Sequence, residues 1–594
     1  MSGFPSMNDL YRRLLRAIPR RSSPDDGAPA TDARSVRSWA ASLPMASFAA
    51  STSLLQERLR WMNQARIGPG ERLEALEILR EPVAQLSAVA EKQVIGATFP
   101  LSPQKAELGS LTEGFQYELA IGYIEALYDL CAPKAAVPMF KSGSAVLAAV
   151  RALEHGGACL QKAYLLYHTP PAGVWQALHD VYRVVVDLNI ENRPLGGIGM
   201  GIGNGQRAQP AYAHALLLAL IDPYSYTFRE LPEIIEITRI LEEYCDLRLF
   251  KSVPSDYDGL RLVDTNADSG PGYMITTGES HREGLIGIDT GRLLAYIEGE
   301  LAALPESAPT LELRSRNNGT RTVELGLIRS LIASLTAEHA RRYERLDSEH
   351  ALETVIGLHD LHCVLAGNEE FTSFAQRVSG NADIVDVGDS VASWAMAVNE
   401  HARVLRPSAS VLDQSLRGYR LMWDCGPGGE TVRAKVGEVV GLRLISDGTS
   451  ANWMVGTIRW MRIDDLGKVE AGIELLSRRA LPVATRAIDK NTKLAPAKPP
   501  VRGILLAPLR SGDSGAYTTL LAPALLDSAT SRIEIASPQD PARWWVDAGV
   551  RRIEAAGDLD RAGTYVHFRV PSLRAADDAR GQGHAARAAG TAAF

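Results

Sequence analysis

Along this chain the spacing of apolar residues changes once, from a period of 3.6 to a period of 2, and no single fold class accommodates both. Leu55, Leu59 and Met62 share a helical face, with Ser53 and Gln56 in a capping-box pattern ahead of them and Gly68-Pro69-Gly70 behind. Leu73, Leu76, Leu79, Val83 and Leu86 repeat the spacing across a kink expected at Pro82. It returns around residues 119–130, 145–167, 174–186, 211–220 and 234–244. Two further helices are expected from Gly291 and from Thr322, the second with Leu325, Ile328, Ile332 and Leu335 on one face. After the arginine cluster that follows, Val469, Ala471, Ile473 and Leu475 alternate with Glu470, Gly472 and Glu474, the pattern of a strand buried on one side. Residues 436–444, 454–463, 503–509 and 565–570 are further strands, separated by Asp/Gly/Ser turns at the short spacing of a barrel or sandwich. No period of 34 or about 40 residues recurs, so a repeat solenoid is not supported.

A length of 594 residues holds roughly three to five domains. Residues 1–35 read as a disordered tail: a basic stretch with Leu10, Leu14 and Ile18 at helical spacing, then a segment poor in apolar residues. As an amphipathic helix, 9–20 would touch a membrane or partner; as a frayed tail it would touch nothing. Residues 36–250 form the helical domain, and 251–340 a mixed connecting region of short strands that ends in a helix. A β region covers 341–480. The Lys/Ala/Pro segment 492–500 reads as a linker to a second β module at 501–573, and 574–594 as a disordered tail.

Several functions are excluded by chemistry. Lys+Arg 63 against Asp+Glu 70 gives a formal charge of −7, so the whole-protein field offers no general attraction for nucleic acid. The longest apolar run, 211–221, is about half a bilayer span, which leaves no transmembrane segment, and the basic N-terminus lacks a signal peptide's apolar stretch. Five scattered cysteines build neither a disulfide framework nor a zinc site, and fit a reducing cytoplasm.

Three patterns resemble catalytic or cofactor motifs and fail on detail. The glycines of 196–205 give no Gly-x-Gly-x-x-Gly. Gly512-Asp513-Ser514-Gly515 is followed by Ala516 where a protease nucleophile has a second glycine. His359 and His362, on a strand, point to opposite faces and form no metal site. With no paired carboxylates and no nucleophile–base arrangement, the chain is read as a non-enzyme without catalytic or metal-binding residues and without a cofactor.

One constellation remains. Asp413-Gln414-Ser415-Leu416-Arg417-Gly418 is the one match in the chain to [Asp/Asn]-x-Ser-x-x-Gly, and a strand-like run, 419–423, follows it. Upstream, Arg341 and Arg345, with Arg342 between them, give Arg-x3-Arg. In this order, with the later strands 455–460 and 469–475, these residues resemble the PilZ domain, a small β-barrel that binds the bacterial second messenger cyclic di-GMP. The resemblance implies a multidomain α + β protein: a helical N-terminal domain, a PilZ-like antiparallel barrel over 341–480, and a further β module. Trp460 and Ile473 are expected to pack the barrel.

It also implies a ligand site of Arg341, Arg342, Arg345, Asp413, Ser415 and Gly418. A guanidinium forks onto phosphate oxygens or onto guanine O6 and N7; Asp413 would accept from guanine N–H groups, Ser415 would donate to phosphate or fix the turn, and Gly418 would let the backbone bend. One departure stands against the ligand. Arg345 and Asp413 lie farther apart than the family's strand and turn require, with an apparent insertion near 369–409 that holds one possible helix at 390–404. Either the insertion leaves Arg341 and Arg345 at the site, or Arg403 and Arg406 are the nearer basic pair. The function implied is a cytoplasmic cyclic di-GMP receptor whose helical domain contacts an unidentified protein partner; the alternative is a PilZ-like interaction scaffold that no longer binds nucleotide.

Overall fold

A computed structural model describes residues 11–24, 28–94, 99–131, 142–196, 205–250, 260–272, 284–305, 307–315, 319–336, 346–348, 350–379, 404–425, 432–445, 452–464, 466–487, 499–509, 518–523, 532–538, 549–554, 556–562 and 565–570. The chain divides into two compact units: residues 1–97 with 101–340, and residues 98–100 with 341–594.

The first unit is built from α1 (Ala33–Ala41), α2 (Phe48–Gln64), α3 (Pro69–Val94), α4 (Pro103–Cys131), α5 (Ser142–Leu165), α6 (Val174–Asp187), α7 (Ala208–Leu220) and α8 (Leu231–Leu241). The apolar faces read from the sequence are its core: Leu55, Leu59, Met62, Leu73, Leu76, Leu79, Val83 and Leu86 are all buried. Helix α4 is buried on every side from Leu119 to Leu127, as a central helix must be. That places the Glu125 carboxylate in the core, where Arg72 meets it at 2.6 Å. The same guanidinium donates to the carbonyls of Met62 and Ala65, both at 2.8 Å, and so closes the end of α2.

After α8 come β1 (Asp246–Phe250), β2 (Leu260–Asp264), β3 (Leu285–Asp289), α9 (Gly291–Ala302), β4 (Thr310–Ser315), β5 (Gly319–Glu324) and α10 (Leu325–Thr336). The first three strands form an antiparallel sheet in the order β1-β3-β2, and β4 pairs with β5.

The second unit contains β6 (Leu346–Asp347), β7 (Ala351–Ile356), α11 (Leu358–Leu365), α12 (Phe371–Ser379), β8 (Ser408–Ser415), β9 (Gly418–Trp423), β10 (Val439–Leu444), β11 (Met454–Ile463) and β12 (Val469–Ser477). Strand order β6-β8-β7-β10-β11-β12-β9, with β9 returning to β8, closes a six-stranded antiparallel barrel from β7 to β12. Closure leaves those six strands no unpaired edge. Residues 98–100 belong to this unit through a bridge from Phe99 to Ala434.

A second antiparallel sheet follows, in the order β17-β16-β13-β14-β15-β19-β18, made of β13 (Ala480–Ala487), β14 (Val501–Leu506), β15 (Thr518–Pro523), β16 (Arg532–Ser537), β17 (Gly549–Glu554), β18 (Ala556–Ala562) and β19 (Tyr565–Val570). It is a half-barrel. Ile504, Leu506, Leu521 and Tyr565 pack with Leu358 and Leu361 of α11 against Val355, Val439 and Val455 of the barrel.

Several elements differ from the sequence expectation, each for a local reason. Helix α2 starts at Phe48, so Ser53 lies inside it and caps nothing. The helix expected from Thr322 begins at Leu325, because residues 319–324 pair as β5. Residues 246–250, expected to close the helical domain, are the strand β1. His359 and His362 lie on helix α11, not a strand; a short apolar run does not reveal its period. At the N-terminus, Leu14 is buried and Arg21 forks onto Asp129 at 2.6 and 3.1 Å, so this stretch is folded rather than a free tail. The second sheet begins at Ala480, ahead of the expected linker, since β13 pairs with both β14 and β16. Most of the glycine run (197–204), the serine motif (512–515) and nearly all of the helix at 390–404 lie outside the described residues.

Trp460 is the largest departure. A bulge between Ile458 and Trp460 moves the following residues to the other face, so Met461 is buried while Trp460 is only half-buried. Its ring covers Gly472, where a Cβ would strike the indole Nε1. Among the described residues, the fully buried tryptophan is Trp423, whose indole donates to Thr354 Oγ1 at 2.9 Å.

Candidate functional site

Strands β8 and β9 are joined by Leu416 and Arg417, so the Asp-x-Ser-x-x-Gly motif is a hairpin with Ser415 opposite Gly418. Ser415 Oγ lies 3.4 Å from the Gly418 carbonyl and braces the turn. The amide of Leu475 on β12 donates to the Arg417 carbonyl at 2.8 Å. Gly418 is required by that neighbour: a Cβ here would collide with the carbonyl oxygen of Ile473. This is close approach of backbone, not a left-handed turn.

Asp413 follows a bulge at Leu412 and faces Arg420 across the β8–β9 pair. Arg420 Nη1 is 3.6 Å from Asp413 Oδ2, and Arg420 Nε donates to Glu470 Oε1 of β12 at 2.7 Å. The hydrogen bond that Arg420 donates to Glu470, with the two carboxylate charges and against the effect of burial, raises the Arg420 pKa above its ordinary value. One guanidinium therefore serves two carboxylates on flanking strands.

The third side of the motif is β6. Leu346 is paired opposite Gln414 and Asp347 opposite Asp413. The pairing runs on through Ser348 N to Leu412 O and Val411 N to His350 O into β7, so β6 and β7 are one interrupted strand along β8. Arg341, Arg342 and Arg345 lie outside the described residues. The strand that begins one residue after Arg345 is nonetheless bonded to the motif strand.

The alternative pair fares differently. Arg403 lies outside the described residues, and Arg406 bonds Asn368 Oδ1 at 3.0 Å, with Glu353 at 3.6 Å, just before β8 begins. The motif closes the other end of that eight-residue strand, roughly 20 Å or more away at strand rise. Arg406 therefore lies away from the motif.

Three cations near the motif went unnoticed in the sequence. Arg417 is exposed at the hairpin tip, Arg478 reaches the Leu416 carbonyl at 3.5 Å, and Arg420 faces Asp413. Only the position of Arg417 inside the motif and of Arg420 two residues after it could have flagged them. Exposed Leu346 and Leu416 flank the same end. Among the described residues, no group of three or more His, Cys, Asp or Glu could hold a metal ion.

Residues 34–252 match the family model described as the N-terminal domain of the cyclic-di-GMP receptor FimW, and residues 260–406 and 398–482 match that of its middle PilZ domain. In its C-terminal half the chain belongs to the PilZ-type family. The barrel described above, with the hairpin motif at one end, is the core of this PilZ domain. The middle-domain match starts at residue 260, ahead of the barrel, and so takes in β2 to α10 as well. A relative named cyclic-di-GMP receptor FimW, from Pseudomonas aeruginosa, is 23% identical over 544 residues, 84% of this chain and 86% of its own length. Among the described residues of the PilZ-type chain, no helix is long and apolar enough to cross a membrane.

Proposed function

We propose that the chain is a cyclic di-GMP receptor, with Asp413, Ser415 and Gly418 at one side of the ligand and Arg341, Arg342 and Arg345 supplying the cations that two phosphates require. The observation that carries this reading is the pairing of Leu346 with Gln414, which attaches the arginine-bearing segment to the motif across the long sequence gap. The matches to a family named for cyclic-di-GMP reception support it.

The protein acts by binding rather than by turnover. Asp413 accepts from guanine N1 and N2 hydrogens, the arginines fork onto phosphate or onto O6 and N7, and Ser415 and Gly418 hold the hairpin that presents Asp413. All three arginines stand in the connection between α10 and β6, which joins the two units in the chain. A ligand that engages them acts on that connection, and through it on the helical unit, where we place the surface for a protein partner.

Isothermal titration of the full chain with cyclic di-GMP tests the reading. Arg345→Ala should cost a charge-assisted contact of about 1.5 to 3 kcal/mol, at least tenfold in affinity. Adenine presents an amino group where guanine has O6, so cyclic di-AMP should bind roughly a hundredfold more weakly when two bases are read. Equal affinity for the two dinucleotides would reduce the site to an anion patch, and no heat at millimolar cyclic di-GMP would leave a scaffold.

A further inference from the structure

Resting on the receptor reading, we infer that Arg420 reads the same guanine as Asp413, and that Glu470 is the residue that positions it. The argument starts from the order of groups along a guanine edge. The N2 and N1 hydrogens are donors, O6 beside them is an acceptor, and N7 is the next acceptor. A carboxylate on N1 and N2 therefore leaves its immediate neighbour facing O6 and N7, where only a donor fits.

Arg420 is that neighbour. It stands directly across the β8–β9 pair from Asp413, with Nη1 3.6 Å from Oδ2, an acceptor and a donor close enough to address adjoining atoms of one base. Its side chain is 40% exposed and that of Asp413 12%, so a ligand at this end reaches the guanidinium first.

Glu470 explains why the two do not simply close on each other. A charge-assisted Arg–carboxylate hydrogen bond is about 2.7–2.9 Å long. Glu470 takes the Arg420 Nε at 2.7 Å, from the strand on the far side of β9, while Asp413 is left at 3.6 Å. The guanidinium is anchored by one edge and offers its Nη atoms at the other. Lysine, with a single charged nitrogen, cannot hold Glu470 and fork onto a base at once. Against adenine both contacts invert: Arg420 meets an amino donor and Asp413 meets the N1 acceptor.

The test is titration calorimetry on the full chain with three dinucleotides: cyclic di-GMP, its 7-deaza analogue in which N7 is replaced by C–H, and cyclic di-AMP. Wild type should bind the 7-deaza analogue about tenfold more weakly than cyclic di-GMP. Arg420→Lys, which keeps the charge beside both carboxylates, should lose about tenfold for cyclic di-GMP and shrink the 7-deaza penalty, with part of the discrimination against adenine lost. Glu470→Gln should move affinity and penalty in the same direction by less. A structural role for Arg420 would lower the unfolding temperature and leave the N7 penalty intact. Cyclic di-GMP binding by wild type, with affinity and N7 penalty unchanged in Arg420→Lys and Glu470→Gln, overturns this inference and leaves the receptor standing. Absence of cyclic di-GMP binding in wild type overturns both.

Discussion

Leu346 lies opposite Gln414, at the far end of a strand pair that begins with Glu353 opposite Ser408. Everything between residues 357 and 407, including α11 and α12, is inserted between two strands that run side by side. The insertion lengthens the chain between the arginines and the hairpin without separating the strands that carry them. Loop closure makes such an insertion inexpensive, because its entropic cost grows only logarithmically with length.

Because β6 is a two-residue extension outside the closed barrel, it can be broken alone. Leu346→Pro should leave the unfolding temperature within about 2–4 °C of wild type while lowering cyclic di-GMP affinity at least tenfold. Calorimetric titration beside thermal unfolding checks it. Unchanged affinity would mean that the β6–β8 pairing does not bring the arginines to the ligand.

Gly418→Ala should act on the barrel itself. The added methyl meets the Ile473 carbonyl, a backbone atom that cannot rotate away, and the strands must part. A loss of about 1–3 kcal/mol is expected in urea unfolding. Wild-type stability in that variant would show that β9 and β12 have room to give.

Trp423 and Trp460 should differ sharply. Trp423→Ala empties a fully buried site and leaves Thr354 without its indole donor, for a loss of about 3–5 kcal/mol. Trp460→Ala uncovers Gly472 on the outer face and should cost roughly 1 kcal/mol. Denaturant midpoints of the two variants, read with unchanged slopes, decide between this assignment and the reverse.

His362 should make the second unit sensitive to acid. Burial, then the Arg502 charge, pushes its imidazole down to about 3 from an ordinary 6.5, and its Nε2 donates to the Val483 carbonyl at 3.2 Å between Phe371 and Phe374. The unfolded chain takes up a proton below about pH 6.5 and the folded one does not. Stability is thus fully present above 6.5 and falls with pH toward 3, by up to about 1.4 kcal/mol per pH unit from this group. In His362→Gln, that part of the slope should disappear between pH 6 and 4 in thermal unfolding; an unaltered slope would place the proton elsewhere.

The two-part architecture is legible in the order of residues alone. Leu73, Leu76, Leu79, Val83 and Leu86 could bury together only as a helix, and Val469, Ala471, Ile473 and Leu475 only as a strand, because side-chain direction repeats every 3.6 or every 2 residues. The sequence also located the motif and the strand after it, since Asp413, Ser415 and Gly418 lie within six residues and their order is local. What it could not carry was anything set by pairing between distant strands. The bulge that turns Trp460 outward depends on how β11 meets β12, and a one-residue slip reverses every face after it. That β13 joins the second sheet is likewise a matter of its partners β14 and β16. Above all, distance along the chain put Arg403 and Arg406 nearer the motif than Arg341 and Arg345, and left the two pairs as alternatives. Strand register adds what distance along the chain cannot carry: hydrogen bonds place Leu346 at the motif end of β8 and leave Arg406 at the opposite end.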